Sequence, residues 1–493
     1  MAVTEEKSFT LGLLDYIPPL NYVRLLFPLP LKAGVEYKTV YNDLVEALQK
    51  TFVQEPWANG KVFRQSKDAP DWRQGQLEIR YSPYTLESPK PWQVRYKELD
   101  TEWTYEELRD VGFPSDVFAE EDLLDAPALG DVDGVGADIF VAQANFLPGG
   151  LLLGFTTSHA ATDAAGMLNI CRLWADNFRE LHDRDAGGKV HPSWFTPIDN
   201  DRKLTTRIAD EEASKRTKPV DPNDAWLRTL VCLDAPPTGR AVNGHSSSPA
   251  RTMLNRVMFI SSSDLAALRK ETLAEPLPEG MAAPSASDAI NALLWRGVMR
   301  ARAKSAEARS VKLDPISVFE APVDVRDLFA SEFPGNFLGN CWLVNNARMP
   351  LEELISPSTS ISRVMRVLRE GSDRLTRQTI HDAYTLLQTT PDLARVQGRF
   401  VERPESSDLL ISNVIHYPLE YLTFGDRYLD NGGVPHVLRV LHSHYAPNVR
   451  LAHILPRSKT HGGVELSVNM FDDELAYFLE DEEATRYLVM LES

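Results

Sequence analysis

His159 and Asp163, in the stretch His159-Ala160-Ala161-Thr162-Asp163, are the pair whose types and spacing best suit chemistry. A neutral imidazole with an ordinary pKa of about 6.5 is a competent proton acceptor near neutral pH. The pair also stands where a rigid element ends. Residues 151–157 form a short apolar run introduced by Pro148-Gly149-Gly150, and a second run, 139–146, precedes that turn. Two such runs joined by Pro-Gly-Gly predict a hairpin. Beyond Asp163, the residues Met167, Ile170, Cys171, Leu173, Trp174 and Phe178 recur at helical spacing to about His182. A strand end is a platform that holds a side chain firmly while letting it reach a cleft. The same residues also permit a purely structural reading. Asp163 then caps the following helix, and His159 is a satisfied, partly buried histidine.

Other candidates carry less. His442 and His444 lie on one face of a strand-like stretch as two possible metal ligands, but no third ligand has suitable spacing. His381 lies on a helical stretch and reads as a packing or solvent residue. Gly134-Val135-Gly136 is not a full dinucleotide fingerprint and lacks the strand-turn-helix setting. The chain has no P-loop and no G-x-S-x-G nucleophile elbow.

Composition narrows the partners. The 493 residues allow two or three domains, each large enough for a core. The chain is 43% hydrophobic and 25% charged, as in ordinary soluble globular proteins. A net charge of -18 argues against nucleic acid and anionic membrane, which need clustered Lys and Arg. A local basic patch for an anionic small molecule is still compatible with it. Cys171, Cys232 and Cys341 are an odd, sparse set without C-x-x-C, which predicts reduced thiols and neither a disulfide framework nor a zinc site. The polar, acidic N-terminus is no signal peptide, and no apolar run approaches the ~20 residues that span a membrane. The expected compartment is the cytosol.

The elements that must hold the pair follow from periodicity. Residues 11–31 are apolar and proline-rich, with a short strand expected at 27–31. Val40, Leu44, Val45, Leu48 and Phe52 mark an amphipathic helix. Residues 54–66 read as a turn into a strand, further strands are expected at 76–83 and 91–98, and 100–128 is acidic and irregular. Residues 183–250 read as a surface crossover, partly helical near 208–216, between an N-terminal domain (1–182) and a C-terminal domain (251–493). In the second half a strand is expected at 253–261 and a helix around Ile290, Leu293, Leu294 and Val298, with Ser285, Ser287 or Asp288 as caps. Further strands are expected at 314–324, 337–347, 407–415, 434–442, 449–455 and 463–470, then a final helix capped by Asp472. Strands in hairpin-like succession predict a mixed α/β fold, not regular βαβ alternation.

Five stretches, in order, resemble the BAHD acyl-CoA-dependent acyltransferases, and most closely the fungal-type members such as the trichothecene 3-O-acetyltransferases. His159-x-x-x-Asp163 is similar to the family's His-x-x-x-Asp motif. Leu294-Trp295-Arg296 resembles its Leu/Ile-Trp-Arg helix, and Asp324-Val325-Arg326 with Phe337-Leu338-Gly339-Asn340 resembles its Asn-Val-Arg and Phe-Gly-Asn region. Residues 412–418 with Thr423-Phe424-Gly425 resemble its Ser-Ser-Trp and Asp-Phe-Gly-Trp-Gly region, and 464–470 its closing strand. The chain departs from the pattern in having Ala164 for the usual Gly, Thr423 and Asp426 in the second motif, and Val414 for the Trp.

The resemblance implies two chloramphenicol-acetyltransferase-like α/β domains with an active-site tunnel at their interface and His159 at its centre. It implies acyl-CoA, most simply acetyl-CoA, as co-substrate with no permanently bound cofactor or metal. It implies a hydroxyl of a hydrophobic secondary metabolite as acceptor, with an amine as the other option, and a monomer. His159 would act as general base in a ternary complex without an acyl-enzyme. Asp163 would face away from the substrate and pair with an arginine, Arg296 or Arg326. Asn413 would stand in for the missing indole as oxyanion donor, and Ser285, Ser287 and Ser412 would lie on the CoA side. The alternatives are a condensation-domain-like enzyme fed by a carrier protein, a non-catalytic ligand-binding relative, and a tunnel repurposed for a non-acyl reaction. Ser158 and Ala164 flank the motif where the carrier-dependent relative has His and Gly, which weighs against the first.

Overall fold

The structure is a computed structural model that describes residues 6–114, 116–127, 129–183, 201–233, 251–331, 333–334, 336–398, 406–441, 450–457 and 462–491. The hairpin forms as its sequence predicts. Strands Phe140–Leu147 and Gly150–Ser158 pair antiparallel from Phe140 opposite Thr157 to Leu147 opposite Gly150. Gly149 closes the turn at φ 79°, in the left-handed region that favours glycine. Gly150 has a different reason to be glycine. A Cβ there would lie 1.9 Å from Cδ2 of Tyr105, whose ring lies against the turn.

The hairpin is the middle of a five-stranded sheet. In order across it run Arg439–Val440, Tyr22–Pro30, Gly150–Ser158, Phe140–Leu147 and Val94–Glu98. The strand expected at 27–31 thus begins at Tyr22, because its whole length pairs with Gly150–Ser158. One face is covered by helices Tyr37–Gln54 and Ala164–Asp183. Phe27, Phe140, Phe155 and Trp174 interlock there, and the Trp174 indole N–H donates to the Leu44 carbonyl at 2.9 Å. The other face buries Leu26, Leu147 and Leu152 against Tyr105, Leu108 and Phe113, so the acidic 100–128 stretch is partly helical, at Tyr105–Asp110 and Glu120–Leu123. A small four-stranded sheet of Lys7–Thr10, Leu77–Tyr81, Lys61–Arg64 and Ala137–Asp138 lies beside it.

A seven-stranded mixed sheet forms the second layer system. Its order is Trp342–Pro350, Ile316–Asp324, Asp408–Asn413, Leu451–Ile454, Gly463–Phe471, Met253–Ser261 and Val489–Met490. Phe319, Ile411, Ile454, Leu466 and Val468 point from it into a core shared with helices Ser262–Thr272, Ala286–Ala308, Ile361–Asp373 and Asp472–Leu479. Alternation puts Ser412, His453 and Ser467 on the opposite face, in one row, since Ser412 pairs with His453 and His453 with Ser467. Asp472 is the first residue of its helix, not the cap; Phe471 holds that position.

The chain does not divide in space where it divides in sequence. Strand Arg439–Val440, from the C-terminal half, joins the N-terminal sheet along Leu25 and Leu26. Phe337, Leu338, Cys341 and the helix Arg377–Thr389 pack in the first core. The Arg439 guanidinium, 1% exposed, bonds Glu465 of the second sheet at 2.7 Å and so ties the two sheets together. Among the described residues, no helix is long and apolar enough to cross a membrane. Gly150→Ala is expected to destabilise the fold by about 1–3 kcal/mol. A lower thermal midpoint with unchanged helical dichroism checks it.

Candidate functional site

The strand Gly150–Ser158 stops where its neighbour begins, and His159 is the first residue past its end. The His159 N–H donates to the Asn21 carbonyl at 2.9 Å, one last bond that continues the pairing. The chain then turns through Ala161, whose N–H donates to the Ser158 carbonyl at 2.9 Å. The helix starts at Ala164.

Asp163 serves as cap and clamp at once. Its Oδ1 accepts the Gly166 N–H at 2.9 Å, an ordinary first-turn cap. The same carboxylate accepts the Cys341 N–H at 2.9 Å and the Arg326 guanidinium at 2.9 Å. Both charged side chains are almost fully buried. Arg326 continues to Asp324 at 2.9 Å and to the carbonyls of Phe337 and Gly339. Burial opposes the charge on Arg326, but Asp163 and Asp324 hold its pKa above the ordinary value. None of the bonds to Asp163 reaches the imidazole, so the pair is not a base with its orienting acid. Of the two arginines open to sequence reading, Arg326 is the partner. Arg296 instead pairs with Glu483 and the Thr359 carbonyl.

Two further anchors hold the loop. Asn340 Nδ2 donates to the His159 carbonyl at 2.9 Å and to Asp15 Oδ1 at 2.9 Å. Arg202 Nη2 donates to the Ala161 carbonyl at 2.7 Å while Nη1 bonds Asp15 at 3.0 Å. Burial raises the Asp15 carboxyl, and Arg202 with the N–H donors of Asn340 and Gly12 pulls it back. Sequence reading assigned no role to Asp15 or Arg202. Asp15 left a trace, since it and Arg24 are the only charges in the apolar run 11–31, and both are buried. Arg202, inside a charged crossover, left none.

The imidazole is partly buried, with its ring centre 5.9 Å from that of Trp342 at 37°. Among the described residues its enclosed Nδ1 has no hydrogen-bond partner of good geometry. Burial lowers the His159 pKa below 6.5, against the opposing pull of its own carbonyl, Asp163 and the Thr162 carbonyl. The ring is therefore neutral at neutral pH and able to take a proton.

The remaining candidates separate. Asn413 ends its strand half-buried, and its Oδ1 accepts the Ile415 N–H at 3.0 Å in a local turn. Only its Nδ2 is left to donate elsewhere. Ser412 sits beside His453, whose pKa burial lowers to about 4. Ser285 caps the helix Ala286–Ala308 in a reciprocal exchange with Asp288, and Ser287 lies in its first turn. That helix covers the sheet face bearing Leu409 and Ile411, whereas Ser412 points to the other face. Ser285 and Ser287 thus stand at the start of that helix, and Ser412 on the opposite face of the sheet it covers. His381 is buried, its Nε2 2.9 Å from the Phe329 carbonyl. His442 and His444 lie outside the described residues, among which no three His, Cys, Asp or Glu side chains cluster for a metal. Cys171, Cys232 and Cys341 are buried and form no disulfide among the described residues, and burial raises the Cys341 thiol well above its ordinary pKa.

The known proteins that resemble the chain agree with this architecture. A model of the transferase family matches residues 105–485, and one of the trichothecene 3-O-acetyltransferase-like N-terminal domain matches 21–177. The chain belongs to the transferase family. Within it, the chain is a fungal BAHD-type, trichothecene 3-O-acetyltransferase-like member. It is 24% identical to the trichothecene 3-O-acetyltransferase TRI101 of Fusarium sporotrichioides over 98% of both chains. It is 28% identical to the isocyanide synthase-NRPS hybrid crmA of Aspergillus fumigatus over 99% of its own length, but spans only 31% of that hybrid. Its fold superposes on F. graminearum TRI101 complexed with coenzyme A and deoxynivalenol at a TM-score of 0.76. That match covers 99% of this chain and 100% of the other at 19% identity.

Asp163→Ala strands the Arg326 charge and is expected to cost about 3–5 kcal/mol of stability, read as the shift in denaturant midpoint. His453 gives a second expectation. Its folded pKa lies below the unfolded value of about 6.5, so the unfolded chain takes up the proton first. The stability this residue contributes is complete above pH 6.5 and is lost as pH falls toward about 4. The slope approaches about 1.4 kcal/mol per pH unit, and His453→Gln removes that component in parallel denaturation series.

Proposed function

We propose that the chain is an acyl-CoA-dependent O-acyltransferase, most simply an O-acetyltransferase, that acts on a hydroxyl of a hydrophobic secondary metabolite. The observation that carries this reading is the enclosed, neutral His159 imidazole on a loop whose backbone is held at His159, Ala161 and Asp163. His159 takes the proton from the acceptor hydroxyl as its oxygen attacks the thioester carbonyl. The tetrahedral intermediate then expels the thiolate, which receives that proton from the imidazolium. The products are the ester and the free thiol of CoA, and no acyl-enzyme forms. General base catalysis contributes roughly 10²–10⁴-fold, and holding both substrates together supplies much of the rest. Asp163 acts as a positioning residue. The free Nδ2 of Asn413 is the candidate donor to the oxyanion, and Ser412 is the candidate on the CoA side.

A carrier-protein-bound donor is the second reading. It is favoured by the match, over nearly the whole of this chain, to one third of a protein named as an NRPS hybrid. Ser158 and Ala164 count against it.

The test is release of free thiol from acetyl-CoA with a panel of hydrophobic alcohols. Acceptor-dependent release, lowered at least about a hundredfold in His159→Ala, supports the first reading. Turnover only with a carrier-bound acyl thioester selects the second. Ligand binding without turnover, indifferent to His159, overturns both in favour of a non-catalytic relative. Because burial lowers the His159 pKa, the acid limb of kcat/KM is expected to have its midpoint below pH 6.5.

A further inference from the structure

We infer that Trp342 is a positioning residue for the His159 base, acting through the side-chain amide of Asn340. The inference rests on the base reading above. Residues 340–342 stand at the start of the edge strand Trp342–Pro350, and each meets the motif loop differently. Asn340 holds the His159 carbonyl, the Cys341 N–H holds Asp163, and the Trp342 ring covers the imidazole.

The indole N–H donates to Asn340 Oδ1 at 3.0 Å. This bond satisfies the amide oxygen and fastens that end of the side chain. With Oδ1 taken by the indole, Nδ2 faces the His159 carbonyl and Asp15 Oδ1, both of them acceptors. A reversed amide would set oxygen against both, and would set Nδ2 against the indole donor. The amide is thus held at three points, and the N–H of Trp342 is the one that fastens its oxygen. The indole is 7% exposed, so it also keeps water from that side of the ring. An aliphatic residue in its place could fill space but could not donate to Oδ1.

The charged and titratable groups around the imidazole are Asp163 on its own loop, Asp324 and Arg326 at the neighbouring strand end, and the Asp15–Arg202 pair behind Asn340. Among the described residues the Cys341 thiol, beside Asp163, and the Tyr417 phenol, within reach of the Asp163, Asp324 and Arg326 charges, are both pushed up by burial. Substitution of Trp342 changes none of these charges, so a displaced pH profile reports the cover over the ring.

Trp342→Phe keeps a ring and removes the N–H; Trp342→Leu removes both. In the thiol-release assay, Trp342→Phe is expected to lower kcat about tenfold, with the acceptor KM within about twofold and the acid limb unmoved. Trp342→Leu is expected to lower kcat further and to move the acid limb upward toward pH 6.5 as water reaches the imidazole. A raised KM with unchanged kcat in Trp342→Phe, or wild-type behaviour, overturns the assignment, since the indole is then only a wall of the acceptor site. Trp342→His keeps a ring N–H in place of that of the indole. If Trp342→Phe does not fold, a kcat within about threefold of wild type in Trp342→His supports the assignment, and a loss equal to that of Trp342→Leu overturns it. His159→Ala is run alongside. If it retains turnover, the base reading itself fails; if it is inactive while Trp342→Phe is unimpaired, only the role of Trp342 fails.

Discussion

The carboxylate of Asp163 joins three parts of the chain that are far apart in sequence: the first turn of its own helix through Gly166, the strand entry at Cys341, and the guanidinium of Arg326. A carboxylate this deeply buried is costly unless every lone pair is met and a counter-charge lies in contact. Arg326 has the same requirement and meets it with Asp163, Asp324 and two carbonyls. Neither charge tolerates displacement of the other. The constraint fixes how the first sheet, which ends at His159, lies against the second, which carries Arg326 and Cys341. The catalytic-type side chain is thus held indirectly. The structure fastens the loop's backbone, and among the described residues none bonds the imidazole at Nδ1.

That arrangement divides two tasks that other hydrolytic and transfer sites combine. Where a carboxylate bonds the imidazole directly, it orients the ring and also stabilises the imidazolium. Here Asp163 supplies position, while burial sets protonation by disfavouring the charged ring. The imidazole is neutral at lower pH than that of an ordinary histidine, and a proton placed on it is held less tightly. Such a balance suits a base that must give its proton back to a departing thiolate within one turnover.

The site is also a joint product of segments that a linear reading assigns to different domains. Asp15 comes from the first apolar turn, Arg202 from the crossover and Asn340 from the second half, and all three meet behind the motif loop. Pairing of Arg439–Val440 with the first sheet, and the Arg439–Glu465 bridge, show the same interleaving on the far side. The two halves bury one another's polar groups, which couples the geometry of the motif loop to the folding of the whole chain.

Much was legible from residue order alone. The hairpin before His159, the amphipathic helices on both sides, the closing strand and the mixed α/β class all follow from periodicities of two and 3.6, which are local properties. The cap role of Asp163 was legible for the same reason, since a helix N-terminus needs an acceptor within three residues. The extent of Tyr22–Pro30 was not, because its partner strand and not its own proline-rich composition stabilises it. Nor was the choice of Arg326 over Arg296, both of which are buried arginines with acidic partners. Asp15 was visible only as a misplaced charge, and Arg202 and the indole of Trp342 not at all. Their roles depend on contacts as distant in sequence as Asp15 to Arg202, 187 residues, and Trp342 to His159, 183. Sequence by itself determines which elements form and where a base could stand, because those depend on near neighbours. Only tertiary structure decides what holds that base, because a buried polar group must be satisfied by whichever distant group the fold brings within hydrogen-bond reach.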